Sequence, residues 1–271
     1  MNAGTQTLNA ASPWIERLAR IGFVAKGVVH ILIGFLAARA AIGTGGSTSG
    51  ASGALQSIIG EPFGKVLLGV IAVGLFGYAM WRLIEAVLDT SRRGSESRGL
   101  AVRIGSAGKA LIYGGLSIET FRLALGSRGD SSDSTEHWTA LALRQPFGQA
   151  LVVLAGAGVA AYGIYQLTRA WRSKLNRDLE LSRVPFESRK WITGISRFGI
   201  AARGVVFGLI GYLLIAAGIN QRASQAEDVG GALRALGTDP FGPIALATVG
   251  VGLIAYGLYE FLNARYRKIT I

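Results

Sequence analysis

Three cationic side chains occupy one recurring position in this sequence: Lys26, Lys109 and Arg203. Each follows an arginine by six residues, so it lies about 9 Å deeper along a helix that rises roughly 1.5 Å per residue. If the three positions face a common axis, the cations form a ring that attracts an anion such as a phosphate or a lipid headgroup. Alternatively, each cation extends along its aliphatic stem to the cytoplasmic headgroups. Tyrosines at a second recurring position are predicted to lie at comparable depth: Tyr78, Tyr162 and Tyr256.

Carboxylates also occur within or beside apolar segments. Glu119 and Arg122 are three residues apart near one end of such a segment, a spacing that favours an ion pair on one helix. A carboxylate inside a membrane can also belong to a proton or ion relay, so the pattern is consistent with both roles. Glu85 and Glu260 are predicted to lie at cytoplasmic helix ends and to pair with nearby arginines.

Residues of the kinds that perform catalysis are scarce. The chain has no cysteine, and its two histidines, His30 and His137, are far apart. His30 follows Lys26 by four residues, and the residues four positions after Lys109 and Arg203 are the aromatic Tyr113 and Phe207. His30 is therefore predicted to be a packing residue. No H-E-x-x-H, P-loop or G-x-S-x-G motif occurs. The sequence therefore predicts a protein that is not an enzyme and has neither a metal site nor a cofactor.

The composition indicates that the candidate residues above lie on helices that cross a membrane. The 271 residues are 50% hydrophobic and 16% charged, with a mean hydropathy of +0.40. A helix that crosses a bilayer needs about 20 mostly apolar residues. Six segments reach that length: 21–42, 66–88, 104–125, 147–167, 198–219 and 241–262. The third is the weakest because it includes Lys109, Glu119 and Arg122. The predicted fold class is an all-α membrane protein with six transmembrane helices.

Basic residues are distributed unevenly between the two sides of such a helix array. Seventeen lie in the N-terminal lead-in, the connections after the second and fourth spans and the C-terminal tail, against four in the connections on the other side. The positive-inside bias places both termini in the cytoplasm. The net charge of +12 is then explained by contact with anionic lipid headgroups, and nucleic acid is not a predicted partner.

Two motifs occur three times each, in the same order. The first, R-x-G-x-x-x-[KR]-[GA], starts at Arg20, Arg103 and Arg197. The second, P-F-G-x9-G-x3-Y-x2-[YW], starts at Pro62, Pro146 and Pro240. Short stretches before the second motif, such as 138–143 and 231–236, are predicted interfacial half-helices. The chain is therefore predicted to have a polar N-terminal tail (1–13) and three tandem two-helix hairpins with pseudo-threefold symmetry: 14–91, 92–176 and 177–271, the last with a basic tail.

These triplicated motifs resemble those of a bacterial inner-membrane family described as domain of unknown function 1206. The resemblance extends from Trp14 to Lys268. It implies three copies of a two-helix unit and implies no activity. The chain departs from the shared pattern at Ala110, where the other copies have glycine, and at Trp81, where they have tyrosine.

The lack of catalytic motifs and the triplicated packing residues favour a non-catalytic role. The first hypothesis is an accessory or scaffold subunit that binds anionic lipid at the cytoplasmic face and associates with a membrane-protein partner. The alternative is a small channel or carrier for an anion or a small apolar solute along the pseudo-threefold axis. This alternative requires a cavity on that axis.

Overall fold

Long helices dominate the protein. The computed structural model describes residues 3–88, 97–127, 134–172, 186–238 and 240–267. These residues form nine α-helices and one short 3-10 helix, Ala223–Gln225. The long helices are α1 (Ala3–Ala41), α3 (Gly64–Leu88), α4 (Ser97–Ala124), α6 (Gly148–Trp171), α7 (Phe186–Asn220) and α9 (Gly242–Tyr266). The short helices are α2 (Ala51–Gln56), α5 (Ser134–Leu143) and α8 (Val229–Gly237).

Each predicted span corresponds to one long helix. Five of the described helices, α1, α3, α6, α7 and α9, are long and apolar enough to cross a membrane. The chain is thus a helical membrane protein. The third predicted span corresponds to α4, which is outside this set. Its mean hydropathy is lowered by Lys109, Glu119 and Arg122, and the crossing of the membrane by α4 stays a prediction.

The Pro-Phe-Gly motifs form the turns that begin α3, α6 and α9. In each turn the phenylalanine carbonyl accepts an early helical hydrogen bond, at 3.0 or 3.1 Å. The following glycine is required, because a Cβ there would lie 2.0, 2.1 or 2.4 Å from a carbonyl oxygen of the preceding segment. The phenylalanine side chains are exposed at these helix ends, as expected of aromatic residues in a membrane interface. They are Phe63, Phe147 and Phe241.

The most extensive helix pairs join neighbouring repeats rather than the two helices of one repeat. Helix α3 packs on α4, and α6 packs on α7. The first and last long helices, α1 and α9, pack to a similar extent, so the third repeat also packs against the first. Packing within a repeat is looser between α1 and α3 and between α7 and α9, and α4 and α6 are not closely packed. The described helices therefore form a closed series of inter-repeat pairs.

Small residues at matching positions let these inter-repeat pairs approach closely. A Cβ added to Gly34 of α1 would lie 2.4 Å from the carbonyl oxygen of Gly250 in α9. One added to Gly156 of α6 would lie 2.8 Å from a backbone nitrogen of α7. In the α3–α4 pair a hydrogen bond takes the place of this contact, because the Ser117 hydroxyl donates to the carbonyl oxygen of Ala72 at 2.9 Å. Close backbone approach and interhelical hydrogen bonds both stabilise helix pairs in lipid.

The recurring arginine of the first motif links each repeat to the one before it. Arg103, near the start of α4, donates from Nε to the carbonyl oxygen of Ala86 in the last turn of α3, at 2.8 Å. The corresponding bond runs from Arg20 to Ala264 of α9, while Arg197 donates one residue further along, to the carbonyl oxygen of Trp171 in α6. Each arginine satisfies a carbonyl that a helix C-terminus leaves without a partner, and its charge is favourable at the negative end of the helix dipole.

The short helices lie at the opposite ends of the bundle from these arginines. Helices α5 and α8 contain the half-helices predicted at 138–143 and 231–236. Residues 3–13, predicted as a polar tail, form the first turns of α1. The predicted repeat boundaries at 91/92 and 176/177 lie outside the described residues, as does the part of the basic tail from 268 onwards, whereas Arg265 and Arg267 of that tail are described.

The Pro-Phe-Gly turn gives a direct test of the fold. We expect Gly148→Ala to lower the free energy of unfolding by about 1–3 kcal/mol, because its Cβ would overlap the Ala142 carbonyl oxygen. Gly158→Ala, ten residues further along α6, is the matched control: no atom of the described residues lies near its added Cβ, so we expect a gain of up to about 1 kcal/mol. Unfolding by sodium dodecyl sulfate measures both, and equal effects of the two substitutions would contradict the described turn.

Candidate functional site

All six residues predicted to surround an anion line one cavity in the interior of the bundle. They are Lys26, Tyr78, Lys109, Tyr162, Arg203 and Tyr256. Each of the six long helices supplies one of them, because the repeat places the cation on its first long helix and the tyrosine on its second. The cavity has a volume of about 50 Å³, which is room for a few water-sized atoms.

Lys26 has two strong partners in the cavity. Its ammonium donates to Glu260 Oε1 at 2.6 Å and to the Tyr256 hydroxyl oxygen at 3.0 Å. Only 5% of the Lys26 side chain and 2% of the Glu260 side chain are exposed. The interpretation that Lys26 extends to lipid headgroups is therefore wrong. The predicted pairing of Glu260 with a nearby arginine is wrong too, since its ion-pair partner is a lysine on α1.

The other two cations of the ring are less completely satisfied. Arg203 is buried and donates from Nη1 to the Tyr256 hydroxyl oxygen at 2.6 Å. Its Nε has no hydrogen-bond partner among the described residues. Lys109 is only partly buried, and its ammonium lies 5.7 Å from the ring centroid of Tyr162. No hydrogen bond or ion pair of the Lys109 ammonium occurs within the described part of the chain. Of the three cations in the ring, Lys109 is therefore the one most available to a ligand.

The aromatic rings are interleaved with the cations. The Lys26 ammonium lies 5.2 Å from the ring centroid of Tyr78 and 5.3 Å from that of Tyr256. The Arg203 guanidinium lies 4.7 Å from the ring centroid of Tyr256 and 6.0 Å from that of Tyr162. A cation within about 6 Å of an aromatic face is attracted by the ring quadrupole. The tyrosines thus offset part of the repulsion between the buried cations.

The second long helices also place polar residues in the cavity that the sequence motifs did not single out. Four residues after each recurring tyrosine stand Arg82, Gln166 and Glu260, and seven residues after it stand Glu85, Arg169 and Asn263. All of them except Glu85 line the cavity, together with Arg267. These two positions are polar in all three repeats although the residue types differ. Alignment of the repeats by position rather than by residue identity would have found them.

The cavity carries an excess of positive charge. Among its described lining residues six are basic, and Glu260 alone is acidic. The basic residues are Lys26, Arg82, Lys109, Arg169, Arg203 and Arg267. A second carboxylate, Glu85, lies beside the cavity and forms an ion pair with Arg82, as predicted for a nearby arginine. Cations in excess of carboxylates repel one another in a medium of low dielectric constant, so the cavity favours the entry of an anion.

An aromatic layer closes the cavity on the side away from the recurring arginines. It consists of the residues at one repeat position, His30, Tyr113 and Phe207. Each ring packs against one cavity tyrosine, at centroid distances of 4.8, 4.8 and 5.2 Å, so His30 is a packing residue as predicted. Beyond this layer lies a core of buried aliphatic side chains: Val29, Ile33, Leu68, Leu75, Leu123, Val206, Ile210 and Leu253. The cavity therefore ends at the aromatic layer.

The predicted Glu119–Arg122 ion pair does not form. Glu119 Oε2 instead accepts a hydrogen bond from the Ser52 hydroxyl at 2.7 Å, while Arg122 is exposed. Helix α2 packs beside this end of α4 and places Ser52 next to the carboxylate. This contact joins two distant parts of the chain, so the sequence of the third span alone does not predict it. Within the described ranges, no group of three metal-ligating side chains comes together either.

The long apolar helices, in three related units around one polar cavity, define a helical membrane protein with an internal repeat. A family model described as Domain of Unknown Function (DUF1206) matches the chain three times, over residues 21–89, 104–173 and 198–267. The chain belongs to this family. It is similar to the uncharacterized protein YxxB of Bacillus subtilis (strain 168), with 35% identity over 258 residues that cover 95% of this chain and 93% of the relative. No solved structure matches the chain at a significant level.

The Lys26–Glu260 pair predicts non-additive effects on stability. Lys26→Leu and Glu260→Leu are each expected to lower the free energy of unfolding by about 3–5 kcal/mol, because each leaves the opposite charge buried without its partner. The double variant is expected to be more stable than either single variant, since no uncompensated charge of the pair remains. Unfolding titrations of the four proteins test this, and a double-variant loss equal to the sum of the single losses would refute it.

Proposed function

We propose that this chain is a non-catalytic integral protein of the bacterial inner membrane, an accessory or scaffold subunit that binds the anionic headgroups of membrane lipids. The observation that carries the proposal is the cavity itself, with six basic side chains and one lining carboxylate among the described residues, enclosed by long apolar helices. An anionic group offsets this excess charge. Arginine guanidinium groups are well suited to phosphate, because they donate several hydrogen bonds in one plane.

The level of the cavity in the bundle supports a headgroup from the cytoplasmic leaflet. Glu260 lies six residues before the end of α9 at Tyr266, or about 9 Å along the helix. The same end of the bundle carries Arg265 and Arg267. The positive-inside bias assigns this end to the cytoplasm, where the leaflet contains anionic lipid. Lipid phosphates are then close to the cavity.

The proposal includes a membrane crossing by α4, which makes three tandem hairpins with pseudo-threefold symmetry. The equivalent pairs α3–α4, α6–α7 and α9–α1 support it, as do the equivalent arginine bonds at their ends. In this arrangement several polar residues of α4 contact protein instead of lipid. Ser106 donates to Glu85 at 3.1 Å and Lys109 lines the cavity. Such burial lowers the cost of placing polar groups at membrane depth.

The geometry favours binding over conduction through an open channel. A channel requires a continuous polar passage, whereas this cavity ends at the layer of His30, Tyr113 and Phe207 and is followed by the aliphatic core. The cavity is therefore suited to hold an anionic group at one level of the bundle.

Lys109 provides the test of binding, because it forms no ion pair with a described residue. Its replacement therefore does not deprive a buried carboxylate of its partner, as the replacement of Lys26 would. We expect Lys109→Met to reduce the phosphatidylglycerol retained by the purified protein about tenfold, the loss expected for one charged hydrogen bond. Native mass spectrometry of protein extracted from phosphatidylglycerol-containing vesicles measures this retention. Lys65→Met, which removes an exposed cation at the other end of α3, is the matched control. Equal retention by the two variants would refute the proposed site.

Reconstituted vesicles test the preference for binding over conduction. We expect chloride and phosphate efflux from vesicles that contain the protein to equal efflux from protein-free vesicles, because the aliphatic core interrupts the polar path. Efflux that depends on the protein and falls in Lys109→Met would favour the channel or carrier instead.

A further inference from the structure

The two long helices of a repeat meet through glycines in the first and third repeats. In these repeats a Cβ added to the recurring glycines would lie far too close to the partner helix of the same repeat. The shortest distances are 2.6 Å at Gly22 and at Gly74, 2.3 Å at Gly199 and 2.2 Å at Gly252. No side chain larger than hydrogen fits at these positions, so both hairpins are closed next to the cavity.

The second repeat differs at every equivalent position. Among the described residues, a Cβ added to Gly105 or Gly158 would have no atom within 4 Å. Gly108 also faces open space, although its counterparts in the other repeats, Ala25 and Ala202, contact the second helix. Helices α4 and α6 are accordingly not closely packed. Only 22% of the apolar stretch of α6 is buried, against 56% in α3 and in α9. A gap therefore separates the two helices of this repeat.

The gap borders the cavity beside Lys109 and close to Arg203, two cations that are not fully satisfied by hydrogen bonds to described residues. Gly108 precedes Lys109 directly, and Gly158 lies one helical turn before Tyr162, which also lines the cavity. The Lys109 ammonium has no hydrogen bond to a described residue. Further inside, the Nε of Arg203 has none either, although this residue is only 8% exposed. A buried donor without an acceptor is costly, and an anionic oxygen would satisfy it.

We propose that the phosphate of an anionic phospholipid enters the cavity sideways through this gap, while its acyl chains remain on the apolar outer faces of α4 and α6. The inference rests on the proposed function and adds the route by which the lipid headgroup reaches the cavity. The outer faces beside the gap carry exposed aliphatic side chains, including Leu111 and Leu154, which suit acyl chains. Because Gly105, Gly108 and Gly158 have no side chains, the gap leaves room for the headgroup. Lys109 is then the first cation that the phosphate contacts.

Filling the gap tests the route without removing a charge. The variants are Gly108→Leu and Gly158→Leu, whose new side chains occupy open space. Gly69→Leu on α3 is the matched control, since Gly69 also faces open space and does not line the cavity. Each full-length protein is reconstituted in phosphatidylcholine vesicles that contain phosphatidylglycerol. Bound phosphatidylglycerol and bound inorganic phosphate are then measured separately.

We expect the gap-filling variants to retain at least fivefold less phosphatidylglycerol than the wild type and Gly69→Leu, with inorganic phosphate binding unchanged. Undiminished phosphatidylglycerol in the gap-filling variants would refute the route and leave the binding site intact. A wild type that binds inorganic phosphate but no phosphatidylglycerol would show that the ligand comes from water. A wild type that retains neither would refute the proposed function itself.

Cysteine labelling tests the gap independently, because the chain has no cysteine. We expect a membrane-soluble maleimide to label G108C at least tenfold faster than A25C, the equivalent position in the closed first repeat, where alanine is 5% exposed. Excess phosphatidylglycerol is expected to slow the labelling of G108C. Equal labelling rates for the two variants would refute a gap that opens to lipid.

Discussion

The packing of each repeat against its neighbour is the constraint on which the rest of the structure depends. The recurring arginine binds the last carbonyls of the preceding repeat's second helix, which fixes how far each first helix is shifted along its neighbour. Because this shift is set by the same bond three times, Lys26, Lys109 and Arg203 come to one level and can share a cavity. The close contacts at small residues then hold the helix axes near one another.

The polar residues in the interior of this bundle lower its folding stability. An aliphatic core at this level would avoid the cost of desolvating several cations, and buried ion pairs rarely recover that cost in full. The structure limits the penalty by the Lys26–Glu260 pair and by placing tyrosine rings between the cations. The residual excess charge is consistent with an interior shaped by a ligand, as functional sites in proteins often are.

The sequence predicts the helices well, because length and apolar composition are local properties, and the repeat correctly groups the six cavity residues. It does not predict which repeat a helix faces, since equivalent positions can pack within a repeat or between repeats. For that reason the sequence alone predicts a nearby arginine as the partner of Glu260, whereas the structure pairs it with Lys26. Glu119 shows the same limit, because its partner Ser52 belongs to a short helix from another part of the chain.

The contact between the first and last long helices has a consequence for biosynthesis. Lys26 and Glu260 are 234 residues apart, so the ribosome completes nearly the whole chain before the lysine meets its carboxylate. Until then α1 lacks both its main packing partner and the counter-ion of its buried charge. The bundle therefore closes only after α9 has been made, and a nascent chain arrested before α9 contains a buried-site cation whose counter-ion has not yet been synthesised.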